Sequence, residues 1–106
     1  MIKVHFTRID PLKVDRLRAW MDELNVRREE AHDTMANDTI THEASYILET
    51  SDGPILVTAT FAQDPERAER MRFESQHVIA IKYSKVMHDV MLEILDPECV
   101  FEAHLE

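Results

Sequence analysis

The dipeptide Asp52-Gly53 constrains this chain more than any other feature, because it holds the only glycine and sits between two runs built for strands. Residues 41–51 and 54–61 are rich in Ile, Val, Thr, Tyr and Phe, and Asp-Gly tolerates the positive φ angles of a tight two-residue turn. The stretch reads as a β-hairpin. With Asp52 and Gly53 as the turn, Ser51 faces Pro54, Leu48 faces Val57, Tyr46 faces Ala59 and Ala44 faces Phe61. Strand side chains alternate, so the opposite face carries Glu49 with Leu56, Ile47 with Thr58, Ser45 with Thr60, and Glu43. One face is apolar and the other mixed. This pattern predicts helices on the apolar face and a partner or a cavity on the mixed one.

The rest of the chain supplies the other elements of an α+β domain. Ile2 to Ile9 alternates as a strand, with Ile2, Val4 and Phe6 toward the expected core and Lys3, His5 and Thr7 opposite. Asp10-Pro11 is a helix start, and Leu17, Met21, Leu24, Ala31 and Met35, with Trp20, form one stripe of a helix ending near Asn37. Asp64-Pro65 repeats the start signal. The pattern that follows, to Leu95, is too long for one ordinary helix, and Ser75 can cap a new one, so a break is expected between Ser75 and His77. Asp96-Pro97 is expected to end that second helix, and Cys99 to Leu105 alternates as a fourth strand. The order strand, helix, strand, strand, helix, strand predicts a ferredoxin-like βαββαβ sandwich spanning residues 1–106 as one domain. Right-handed crossovers give sheet order 4-1-3-2 with both helices on one face. The core is expected to include Phe6, Leu24, Tyr46, Val57, Phe61, Val90 and Phe101.

Composition removes whole classes of function. Twelve basic against 21 acidic residues give a net charge of −9, which opposes binding to phosphate backbones, so nucleic acid is not an expected partner. No run is long enough to span a bilayer, and the opening MIKVHFTRI lacks the basic, apolar, small-residue layout of a secretory signal; no membrane association is expected, and the cytoplasm is. Cys99, the one cysteine, excludes an internal disulfide and reads as a buried bystander in a strand. The chain has no HExxH, Cys-x-x-Cys, glycine-rich phosphate loop or GxSxG, and no two of its six histidines are two, three or four residues apart. Neither a metal site nor a cofactor is expected.

Candidate site residues collect on the mixed sheet face. Aligned strand midpoints bring His5 opposite Glu102 and Lys3 near His104, beside Glu43, Thr58 and Thr60. That group serves as cross-strand ion pairs at a wet interface or as a ligand and proton-transfer site. His77 caps the helix break or faces a pocket. Arg28 interrupts the apolar stripe between Leu24 and Ala31. It lays its methylenes on the core with its head in water, or it pairs with Glu43 or Glu29 and presents a guanidinium to an anionic ligand. The same face exposes Ile9, Ile47, Leu56 and Val100, an apolar patch that a lone soluble monomer tends to avoid. Those four residues are the expected interface of a homodimer in which a two-fold contact covers the patch and leaves the polar residues paired or around trapped water.

The segments RREEAHDTM at the end of the first helix, HEASYILE opening the hairpin and FESQHVIAI in the second helix resemble an uncharacterised family of small bacterial proteins. That family is a domain of unknown function related in fold to the dimeric α/β-barrel superfamily. The family's second-helix segment tends toward Ser-x-His followed by an aspartate and another histidine. Ser75 and His77 match, whereas Ala80 and Tyr83 stand where the later polar residues would be, so chemistry requiring all four does not carry over. The resemblance implies a dimer whose sheets face each other. The superfamily contains monooxygenases, haem-degrading enzymes, chlorite-dismutase-like proteins and ligand-binding domains, so it fixes no reaction.

Three functions fit these residues. The first is a small-molecule-binding protein with its ligand beside the open sheet face. The second is a cofactor-independent, monooxygenase-like enzyme in which His5 or His77 is the base, and the third is a structural or interaction module with no cavity. The catalytic residues, the substrate and even the existence of a reaction are not specified by the sequence.

Overall fold

A computed structural model describes residues 1–105. Its elements are β1 (Ile2–Ile9), α1 (Val14–Val26), α2 (Arg28–Asn37), β2 (Ile40–Thr50), β3 (Gly53–Ala62), α3 (Pro65–Glu74), α4 (Val78–Val90) and β4 (Met91–Leu95). The strands form one antiparallel sheet in the order β2-β3-β1-β4, the expected 4-1-3-2 read from the other edge. The fold is α+β.

The hairpin forms with its turn one residue earlier than expected. Thr50 pairs with Gly53, which has φ +110°, so Ser51 and Asp52 are the loop. Pro54 accounts for the shift. A turn at Asp52-Gly53 needs the N–H of residue 54 to close on Ser51, and proline has none. Thr50 secures the observed turn, its hydroxyl donating to the Gly53 carbonyl at 2.7 Å and accepting from the Asp52 N–H at 3.1 Å. Partners consequently become Tyr46 with Val57, Ile47 with Leu56, Ser45 with Thr58 and Glu43 with Thr60.

The helices cover the mixed face, not the apolar one. In the central strand β3, Leu56, Thr58, Thr60 and Ala62 are all buried while their neighbours Val57, Ala59 and Phe61 are not. Ile9 and Leu56 pack with Leu17, Trp20, Ile79, Val86 and Val90 in the main core, with Ile47 against them. Ile40, Ala62 and Ala68 form a second cluster with Met35. The expected core list is therefore corrected. Val90 is buried and Leu24 packs on the core, Phe6 and Val57 are half-buried, and Tyr46, Phe61 and Phe101 are 64%, 42% and 83% exposed. The expected interface residues Ile9 and Leu56 are interior, Ile47 lies against the core, and Val100 is exposed far from them in sequence.

Three helix boundaries and one strand also differ from expectation: the first helix starts at Val14, one turn after Asp10-Pro11, it is broken at Arg27, and the last helix ends at Val90. The first helix breaks at Arg27, whose guanidinium bonds to Glu23 at 2.9 Å and Glu30 at 2.6 Å across the join. The expected second break is present between Glu74 and Val78: the Ser75 hydroxyl accepts from the His77 N–H, and His77 Nδ1 accepts from the Ile79 N–H. Strand four is Met91–Leu95, not Cys99 to Leu105. The three-residue spacing of Met91 and Ile94 continues the helical period of α4, but pairing with the open edge of β1 makes this segment a strand. The Asp10 N–H fixes the Val90 carbonyl at 2.9 Å where helix passes to strand. Asp96-Pro97 thus ends a strand. Residues 96–105 have no regular structure, and Cys99 is exposed there.

Candidate functional site

Because the core is split in two, the space between its halves stays open as a cavity of about 610 Å³. Leu56 of the first cluster and Ile40 and Ala68 of the second bound it, with Met87 and Met91 along the α4 side. From the sheet it takes the polar residues Lys3, His5 and Thr7 on β1 and Thr58 and Thr60 on β3. Pairing of His5 with Thr58 and Lys3 with Thr60 stacks these side chains on one surface.

A partly buried polar network forms one wall. The Ser45 and Thr58 hydroxyls are 3.0 Å apart, the Thr60 hydroxyl donates to Glu43 at 3.0 Å, and Arg72 Nη2 donates to the same carboxylate oxygen at 2.9 Å. Arg72 also stands 3.8 Å from Asp38 through Nε, and its guanidinium lies 5.5 Å from the centre of the Tyr83 ring, a cation–π contact. Burial works against the Arg72 charge, but Glu43, Tyr83 and Asp38 outweigh it and raise its pKa above the ordinary value. Burial likewise pushes the Tyr83 phenol up to about 12, with Glu43 adding to the effect. Asp38 is raised by its own burial, which Arg72 only partly offsets, and its Oδ2 has no hydrogen-bond partner.

At the mouth, α3 contributes Glu69, whose carboxylate lies 3.5 Å from Lys3 Nζ and 3.9 Å from His5 Nε2. Lys85 and His88 enter the lining from α4. A second hollow, of about 940 Å³, lies between β1 and residues 96–103 and shares Lys3, His5 and Glu69 with the first. Its outer wall is irregular chain, whereas the first is lined by residues of strands and helices.

Of the expected site residues, His5, Thr58 and Thr60 line the cavity and Glu43 joins it through Thr60 and Arg72. Glu102 borders only the second hollow, and His104 is exposed in the same irregular stretch. Neither faces β1 as expected, because β4 pairs Leu95 with Phe6 and leaves Lys3 and His5 without a β4 partner. His77 caps α4 outside the cavity lining. Arg28 is exposed, since the break at Arg27 takes it off the stripe. The guanidinium beside Glu43 belongs to Arg72 instead. Its signal was present: Pro65, Ala68 and Arg72 continue a buried stripe at three and four spacing, the same irregularity that drew attention to Arg28. Tyr83 was hidden among the apolar positions of α4. Among the described residues, no three His, Cys, Asp or Glu side chains converge as metal ligands, and no helix is long and apolar enough to cross a membrane.

The chain matches the model of a family of unknown function (DUF6176) over residues 2–105, and it belongs to that family. No curated protein and no solved structure matches it.

Proposed function

We propose that this family member binds a small molecule in the cavity between its sheet and helices. The observation that carries the proposal is the gap itself: about 610 Å³ of space, bounded by apolar side chains, with Thr58, Thr60, Arg72 and Tyr83 converging on it. Ligand sites are commonly concave, mostly apolar and supplied with a few placed polar groups, in a size range of about 300–1,000 Å³. A protein needing only stability gains nothing from leaving two core clusters unjoined, since an unfilled cavity costs contact energy. Thermal shift against a panel of small molecules tests it. Compounds that raise the melting temperature of the native protein should have no effect on Ser84→Trp, which puts an indole into the cavity from α4. Equal shifts in both proteins would place binding elsewhere.

A homodimer is the second part of the proposal, formed through the outer sheet face. Ile2, Tyr46, Leu48 and Phe61 on that face are between 39% and 64% exposed, an apolar patch with no cover within one chain. A two-fold contact burying at least about 1,000 Å² would cover it. The cavity then lies on the far side of each sheet from the interface, and each subunit carries a complete site. A ferredoxin-like relationship and a dimeric-barrel arrangement are the fold reading that accompanies this proposal.

A further inference from the structure

We infer that the ligand of this cavity is an amphipathic anion, an apolar body ending in a carboxylate or similar negative group, an inference that rests on the small-molecule reading above. The chain as a whole carries −9, so a site without selection for charge should be acidic like the rest of the surface. This cavity is the opposite. Lys3, Arg72 and Lys85 line it beside His5 and His88, and Glu69 is the one carboxylate in its lining. Glu43 and Asp38, which balance Arg72, are not part of that lining.

The cations also differ in how far they are already engaged. Lys3 shares a single Glu69 oxygen with His5, at 3.5 and 3.9 Å. Lys85 has no carboxylate within ion-pair distance among the described residues. Asp89, one turn further on α4, is held by Lys13 at 2.9 Å and by Arg16. Nη1 of Arg72 and the Tyr83 hydroxyl make no hydrogen bond among the described residues, so both can donate to a bound oxygen. A carboxylate can pair with a cation or accept from a donor of this set, whereas an ammonium group would meet like charges and a neutral end would leave Lys85 unmatched. Much of the remaining lining, including Leu56, Met87 and Met91, is apolar and calls for a hydrocarbon or aromatic body.

The test compares octanoate, octan-1-ol and octylamine, three probes with one chain length and different head groups. Binding to the intact protein is followed by titration and by the methyl signals of Met87, Met91 and Leu56, which distinguish the cavity from the outer face. Octanoate should bind at least about tenfold more tightly than octanol, with octylamine weakest. Raising salt from about 20 to about 500 mM should weaken octanoate and leave octanol unchanged. The double variant Lys3→Gln, Lys85→Gln should bring octanoate within about threefold of octanol. Both positions are at least partly exposed, so the variant is expected to fold; the salt series gives the same answer on the native chain. Octanol or octylamine binding in the cavity as well as octanoate does would overturn the anionic assignment and leave the cavity reading standing. Silence of the cavity methyls toward all three probes would overturn both.

Discussion

Arg72→Met tests the polar wall directly, because methionine keeps most of the side-chain volume and removes only the charge and its donors. Two carboxylates then lose their cation. Glu43, with its side chain 18% exposed, would retain the Thr60 hydroxyl, and Asp38, 3% exposed, would retain nothing at Oδ2. Removing one partner of a fully buried pair costs about 3–5 kcal/mol. Arg72 and Glu43 each keep roughly a fifth of their exposure, so water recovers part of that and the expected loss is about 2–4 kcal/mol. Adding Glu43→Gln should restore about 1–2 kcal/mol, since it replaces an unpaired buried charge by a neutral group.

The pH dependence gives a second check. Buried carboxylates without a cation have folded pKa values above their unfolded ones, as burial already does for Asp38. A folded state that binds protons more tightly gains stability as pH falls. The deficit of Arg72→Met against the native chain should therefore narrow between pH 7 and pH 5. Urea denaturation at both values, with unchanged m, measures it. A loss below about 1 kcal/mol, or one that grows toward pH 5, would falsify the view that Arg72 neutralises this wall.

Leu56→Ala should cost about 2–5 kcal/mol because the side chain is 2% exposed in the main core; Phe61→Ala, at 42% exposure on the outer face, should cost less than half of that in a monomer. Equal losses would mean that the two faces have been assigned wrongly. Tyr46→Asp with Leu48→Asp should give a folded monomer in analytical ultracentrifugation, and a native chain that is already monomeric at micromolar concentration defeats the dimer proposal. His77→Ala should cost about 0.5–2 kcal/mol through loss of the α4 cap and leave octanoate affinity unchanged. In Tyr46→Phe, which leaves Tyr83 as the only phenol, ultraviolet titration should give a midpoint near 12. Since the folded pKa is raised, stability from this group is complete below pH 10 and declines as pH rises from 10 toward 12; a midpoint at the unperturbed 10.0 contradicts the buried placement.

The break at Ser75–His77 and the presence of a hairpin were legible because they depend on local chemistry, capping side chains and alternation around a turn, although the turn falls one residue earlier; strand order followed from the crossover rule. Alternation places His5 with Lys3 and Thr7 on β1 and Thr58 with Thr60 on β3, and strand pairing in the structure brings these sets and Glu43 together under the helices. Contacts requiring a register between distant strands were not legible. Glu102 and His104 were aligned with β1 on the assumption that the last alternating run is the last strand, while MLEIL, hidden behind a helical period, takes that edge. The grouping of Arg72 and Tyr83 with Glu43 was not legible because a long side chain in an apolar stripe shows its partner only when the facing strand is in place.

The side of the sheet that the helices take is the more instructive error, since apolarity was the wrong criterion for it. A second protein surface covers an apolar face as well as a helix does, so hydrophobic content cannot distinguish the two. Chirality can. For an L-residue in a strand of known direction, the face taken by the side chain fixes the side to which its N–H and C=O point. The right-handed crossover fixes which face the helices occupy for a given strand order. Only one further fact is needed, namely which residues form the hydrogen-bonded pairs, and a two-residue turn supplies it because its flanking residues are such a pair. Placing the turn at Asp52-Gly53 assigns the pair to Ser51 and Pro54, and placing it at Ser51-Asp52 assigns it to Thr50 and Gly53. The two choices put opposite sets of β3 side chains under the helices. Pro54, which cannot donate the closing hydrogen bond, selects the second and so selects Leu56, Thr58 and Thr60 for burial. Replacing Pro54 by valine should remove that selection: a second register becomes accessible, and amide exchange in β2 and β3 should quicken relative to β1. Unchanged protection in all three strands would mean that packing of Leu56 alone holds the register, and the proline would lose the role given to it here.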